Sequence, residues 1–122
     1  RVVGPEALAA LKEAAGPEAA AKLDRAPTLL VASQVRADDD VQDEEDLCAV
    51  ATAIAYVLLA AHARGLAGYW RTPAVLRTPE GMAAVGVPEG ERVLGLIHLG
   101  PPRQDKEAPE RLPTVEYVTF LP

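Results

Sequence analysis

Alternation of apolar and polar positions divides the chain into segments with different periods. Leu8 and Leu11 place an apolar stripe on a helix that opens at Gly4-Pro5-Glu6, with proline at the first helical position. Gly16-Pro17 breaks that helix, and Glu18 to Leu23 reads as a second short one. Thr28 to Arg36 is an apolar run of strand length, bounded by Ala26-Pro27, and reads as an interior strand. From about Asp43 to Arg64 the chain predicts one long helix, apolar on nearly every face and stopped by Gly65. Asp40 and Asp43 have the spacing of a helix cap and its third residue.

Leu66 to Thr72 then passes through Gly68 and the aromatic pair Tyr69-Trp70 with no assigned element. Pro73 opens a short helical turn, and Pro79 to Val85 predicts another helix closed by Gly86. Glu91 to Gly100 is the second clear strand. Pro101 to Lys106 reads as an exposed extended tail, and Val115 to Phe120 as a final strand. Arg1-Val2-Val3 resembles the end of a strand.

Composition sharpens this picture. The 122 residues fit a single domain, 1–122, with 49% apolar residues but one Phe and one Trp. A core with so few large side chains, around a helix apolar on all sides, predicts burial against a second subunit. Ala49, Ala51, Ala53 and Ala55 would allow another helix to approach closely. The expectation is an α+β homodimer with a long buried central helix at the interface.

Charge excludes some partners. The net charge of -6 disfavours nucleic acid, whose phosphates the chain would repel. The acidic cluster between Asp38 and Asp46 reads as a solvated loop feeding a helix N-terminus. It lacks the glycine of an EF-hand loop. Leu47 to Ala63 falls short of the roughly 20 residues of a membrane span, so no membrane is expected. The lone Cys48 permits no internal disulfide and reads as a buried thiol. His62 and His98 are far apart, and no metal site is expected. There is no phosphate-binding glycine loop, and no catalytic residue can be assigned from spacing.

Three stretches, in order, resemble the nitroreductase family of FMN-dependent oxidoreductases. They are Arg25-Ala26-Pro27 followed by Thr28 to Val31, then Ala49 through Gly65 to Gly68-Tyr69-Trp70-Arg71-Thr72, then Arg92 to Pro101. The middle one is similar to the family's central helix and its G-x-G-x-W-R-[ST] segment, with Ala67 at the first glycine. Arg111-Leu112-Pro113 is a weaker fourth likeness.

The resemblance implies a nitroreductase-like fold, with a central mixed or antiparallel sheet flanked by helices. It implies FMN at the interface of a cytoplasmic homodimer. Electrons would pass from NADH or NADPH through FMN to a small-molecule acceptor, such as a nitroaromatic or quinone, with flavin supplying the hard chemistry. Carried over by position, Trp70, Arg71 and Thr72 would lie against the flavin ring, their backbone N–H groups and Arg71 facing its electron-rich edge. Arg111 would pair with the FMN phosphate. Ala60, Ala61, His62, Ala63, Arg64 and Gly65 match a segment linked to nicotinamide-cofactor contact. The chain departs from the family in lacking the early R-R-S type motif that holds phosphate and ribityl, so it resembles an N-terminally incomplete member. A protein truly beginning at Arg1 would be expected to bind FMN weakly. The alternative is a flavin-free dimeric binding module on the same fold.

Overall fold

The computed structural model describes residues 1–104 and 107–121; part of the expected tail, Asp105 and Lys106, lies outside the described residues. Helix α1 spans Pro5–Ala20 and kinks at Gly16, whose φ of 73° leaves the helical region. The residue before a proline is disfavoured in helical geometry, and glycine adopts the left-handed alternative without strain. A short 3-10 turn, Leu23–Arg25, leads into strand β1, Thr28–Val35. Helix α2 covers Asp40–His62, strand β2 Ala67–Arg71, helix α3 Pro79–Ala84 and strand β3 Glu91–Gly100. A 3-10 turn, Ala74–Arg77, joins β2 to α3.

The three strands form an antiparallel sheet in the order β1-β3-β2. β3 is therefore the interior strand, and β1, read as interior from its apolar run, lies outside it. Val2 makes an isolated antiparallel bridge to Leu30 on the far side of β1, matching the strand-like start of the chain. β2 was not assigned from sequence: its burial pattern is exposed throughout except at Arg71, so no buried-face alternation marked it. Val115 to Phe120 is not a strand; Thr114–Glu116 is a 3-10 turn followed by irregular chain.

Two cores flank the sheet. On one face Leu11, Leu23, Val75, Leu76 and Val85 pack with Leu29, Val31 and Leu96. On the other, Ile54 of α2 packs with Leu94 and Ile97, supported by Leu47, Val50, Ala51 and Leu58. Leu47, Val50, Ala51, Ile54, Leu58 and Ala61 follow the three- and four-residue spacing of one helix face. Apart from Asp43 and the half-buried Asp46, the rest of α2 is exposed on the single chain, including Tyr56, Leu59 and Cys48. Cys48 is thus an exposed thiol on this chain, because it sits opposite the face that meets the sheet. At 23 residues α2 is long and apolar enough to cross a membrane by length and composition alone, longer than the run read from sequence.

The start of α2 also differs. Asp39 is the cap, accepting from the Gln42 N–H at 2.9 Å. Asp43 is instead buried. It accepts from Gln34 Nε2 at 2.8 Å, from the Ala37 N–H at 3.2 Å and from Arg92. It joins β1, α2 and β3 at one end of the sheet.

Candidate functional site

The antiparallel register sets Tyr69 opposite His98, Trp70 opposite Ile97 and Arg71 opposite Leu96. Successive side chains of a strand point to opposite faces. Trp70 therefore shares the α2 side with Ile97, while Tyr69 and Arg71 share the α1 side with His98 and Leu96. Trp70 Nε1 and Thr72 Oγ1 both donate to the Leu94 carbonyl, at 3.1 and 2.8 Å. These bonds fix the end of β2 against β3. Gly95 makes this approach possible, since a Cβ there would fall 2.7 Å from the Arg71 carbonyl oxygen and 2.7 Å from Trp70 Cδ1.

The side chains of Trp70 and Thr72 are thus already engaged within the chain. β2 pairs with β3 on one side only, and no other strand covers its outer edge among the described residues. An antiparallel edge strand presents alternate backbone N–H and C=O groups outward.

Two cavities meet around His98. The first, about 370 Å³, lies on the α1 side and is lined by Ala15, Lys22, Leu23, Arg71, Val75 and His98 among others. The second is a wider cleft of about 1000 Å³ at the opposite end of β2, with Arg25, His62, Tyr69, His98 and Arg103 in its walls. Among the described residues, no acidic side chain lines either. His98 is 5% exposed, and neither ring nitrogen has a hydrogen-bond partner among the described residues. Its pKa is lowered, first by burial and then by the positive charges of Arg71 and Arg25. The imidazole is held neutral, able to donate from one nitrogen and accept at the other.

His98 was missed from sequence. It stands in the apolar run Leu94 to Leu99, and the polar residue in that run was the available signal.

The other sequence candidates fall in different places. His62 and Gly65 line the wider cleft, whereas Ala61 is buried and Arg64 Nη1 donates back to the Ala60 carbonyl at 3.0 Å, closing the helix end. Ala63 is exposed in the turn after α2. Arg111 is exposed, lines neither cavity and makes no side-chain hydrogen bond or ion pair among the described residues. No cluster of metal-ligating residues occurs among the described residues.

The sequence profile of the nitroreductase family matches residues 3–101. Among solved structures, a nitroreductase-like family protein from Bacillus cereus superposes with a TM-score of 0.81 at 21% identity, over 99% of this chain and 71% of its own. An FMN-dependent nitroreductase from Clostridium difficile gives 0.70 at 23% identity, over 98% and 72%. The NADPH:FMN oxidoreductase of Vibrio harveyi, complexed with NAD+, gives 0.74 at 26% identity, over 98% and 57%. No curated protein sequence matches significantly.

Proposed function

The chain belongs to the nitroreductase family, and on that premise we propose that it acts as an FMN-dependent oxidoreductase. Electrons would come from NADH or NADPH and pass to a small acceptor such as a nitroaromatic or quinone. Family membership supports flavin oxidoreduction in general; donor and acceptor are the finer part of the proposal. The observation that carries it is the fixed, one-sided edge of β2 ending at Trp70-Arg71-Thr72.

That edge fits a flavin ring. FMN, when bound, supplies the hydride and electron chemistry that no side chain here can perform. The chain's part is to bind and orient. Those backbone N–H groups of the Trp70-Arg71-Thr72 segment that face away from β3 would donate to the electron-rich edge of the ring. Such donors favour negative charge where it develops, and the two bonds to the Leu94 carbonyl keep them in place beforehand. Arg111 would hold the phosphate; it has no ion pair among the described residues, which leaves its guanidinium available. His62 and Gly65, in the wider cleft, and the Ala60 to Arg64 turn would meet the nicotinamide cofactor.

A second copy of the chain completes the proposal. The outward face of α2 carries Tyr56, Val57 and Leu59 into solvent. A contiguous apolar face of this kind marks an interaction surface. A cytoplasmic homodimer, with α2 against α2, would bury it.

The test is anaerobic reduction. Protein carrying FMN, mixed with NADH or NADPH, should lose its flavin absorbance near the visible maximum within seconds to minutes. Retention of the oxidised spectrum with both donors would refute the electron-donor assignment.

A further inference from the structure

The cavity on the α1 side of the sheet is distinct from the outer edge of β2. It combines three features that rarely meet without a ligand to explain them. Its floor holds His98, 5% exposed, with both ring nitrogens unpartnered among the described residues. Buried polar groups are nearly always hydrogen-bonded, because leaving one unpaired costs the full desolvation of that group. Its wall holds Arg71, whose guanidinium has no carboxylate partner among the described residues, and Lys22, whose ammonium lies 3.8 Å from the Glu18 carboxylate outside the cavity lining. The rest of the lining is mainly apolar, with Ala15, Leu23 and Val75; Thr78 also lines it, but its hydroxyl already donates to the Val75 carbonyl at 2.9 Å.

We propose that this cavity binds a small organic carboxylate, with its carboxylate between Arg71 and the protonated nitrogen of His98 and its carbon skeleton against Ala15, Leu23 and Val75. The size suits this ligand class: about 370 Å³ lies at the low end of small-molecule sites. Charge suits it too, since among the described residues cations line the cavity and acids do not. Arginine meets a carboxylate with two parallel N–H donors. The apolar wall selects an organic acid over inorganic phosphate, whose remaining oxygens would be left facing Leu23 and Val75 without donors. The site is independent of the flavin reading, which uses the backbone of β2.

The experiment uses the complete protein with isotope-labelled histidine. With only His62 and His98 in the sequence, each ring is a separate NMR reporter. Isobutyrate is the probe. Its addition should shift the His98 ring signals along a saturable curve and leave His62 in place. Isobutyramide, the neutral isostere, should give no saturable shift. Arg71→Gln should weaken the isobutyrate response at least about tenfold, as expected for loss of a charge-assisted pair. Arg71→Lys should recover part of it. His98 signals unmoved by isobutyrate, or moved equally by isobutyramide, would overturn the proposal. So would inorganic phosphate giving the same saturable shift with equal affinity, or FMN displacing isobutyrate from His98, which would make the cavity part of the flavin site.

Discussion

Trp70 and Thr72 share one acceptor, the Leu94 carbonyl, although they lie on the edge strand and in the turn beyond it. This shared bond ties the proposed flavin-facing segment to the interior strand. Thr72→Val keeps the shape and removes one donor. It should lower stability by about 1 kcal/mol in urea unfolding. Because Trp70 is the only tryptophan, its fluorescence also reports the segment. An unchanged midpoint in Thr72→Val would show that the second bond contributes nothing.

Gly95→Ala tests the close approach of β2 to β3. The added methyl would meet the Trp70 ring and the Arg71 carbonyl, and backbone cannot move aside as a flexible side chain can. A loss of about 2–3 kcal/mol is expected, typical of forced overpacking, with a change in Trp70 emission. Wild-type emission and stability together would contradict the packing described.

The Asp43 carboxylate accepts from three directions, and removing it takes that partner from Arg92 and from the Ala37 N–H, while Gln34 keeps its bond to the residue 43 carbonyl. Breaking a fully buried pair costs about 3–5 kcal/mol. Arg92 is 35% exposed, which moderates the effect, so Asp43→Ala should cost about 2 kcal/mol. Asp39→Ala should cost about 1 kcal/mol as the loss of a helix cap. If Asp39→Ala proves the more damaging of the two, the assignment of their roles is reversed.

The sequence made this last distinction hard to see. Asp39, Asp40 and Asp43 look equivalent in an acidic run, and only β1 and β3 packing beside α2 draws Asp43 inward. The same holds elsewhere. β1, β3 and the existence of α2 were legible as apolar runs of strand or helix length, whereas the face of α2 that meets the sheet was not, because the helix is apolar on nearly every side. β2 was not legible either, because an edge strand exposed on this chain carries no such run. His98 hid inside an apolar run, since its significance lies in what surrounds it across β2 and α1. The family likeness of Trp70-Arg71-Thr72 was visible as order and spacing, but the division of Arg71 and Trp70 between two faces needed the register.

Two titrations should set the acid stability. The Glu91 carboxylate takes two hydrogen bonds from Arg1 and one from Ser33, which lower its pKa to about 2 from an ordinary 4.5. Its contribution is present above pH 4.5 and is lost as pH falls towards about 2. His98 acts in a higher window. Its pKa is lowered from 6.5 by burial and by Arg71 and Arg25; Lys22, paired with Glu18, lines the same cavity, and the Tyr69 ring lies 6.1 Å from the imidazole. Below pH 6.5 the unfolded chain takes up a proton that the folded chain refuses, so stability falls as pH falls through this window. Thermal unfolding between pH 7.5 and 5.5 should therefore flatten in His98→Leu, which should also be more stable at pH 7 by about 1 kcal/mol. An identical pH slope in the variant would remove His98 as the cause.

The exposed face of α2 predicts a dimer by light scattering. Leu59→Glu, on that face, should shift the protein towards monomer with its helix content retained. A wild-type monomer at micromolar concentration would contradict the proposed assembly.

The flavin assignment is tested most directly by the visible absorption spectrum of the complete protein, purified and then incubated with FMN and freed of excess. The account predicts a yellow protein with an FMN-type spectrum and about one flavin per chain. Colourless protein that takes up no added FMN would contradict it, leaving a flavin-free binding module on this fold.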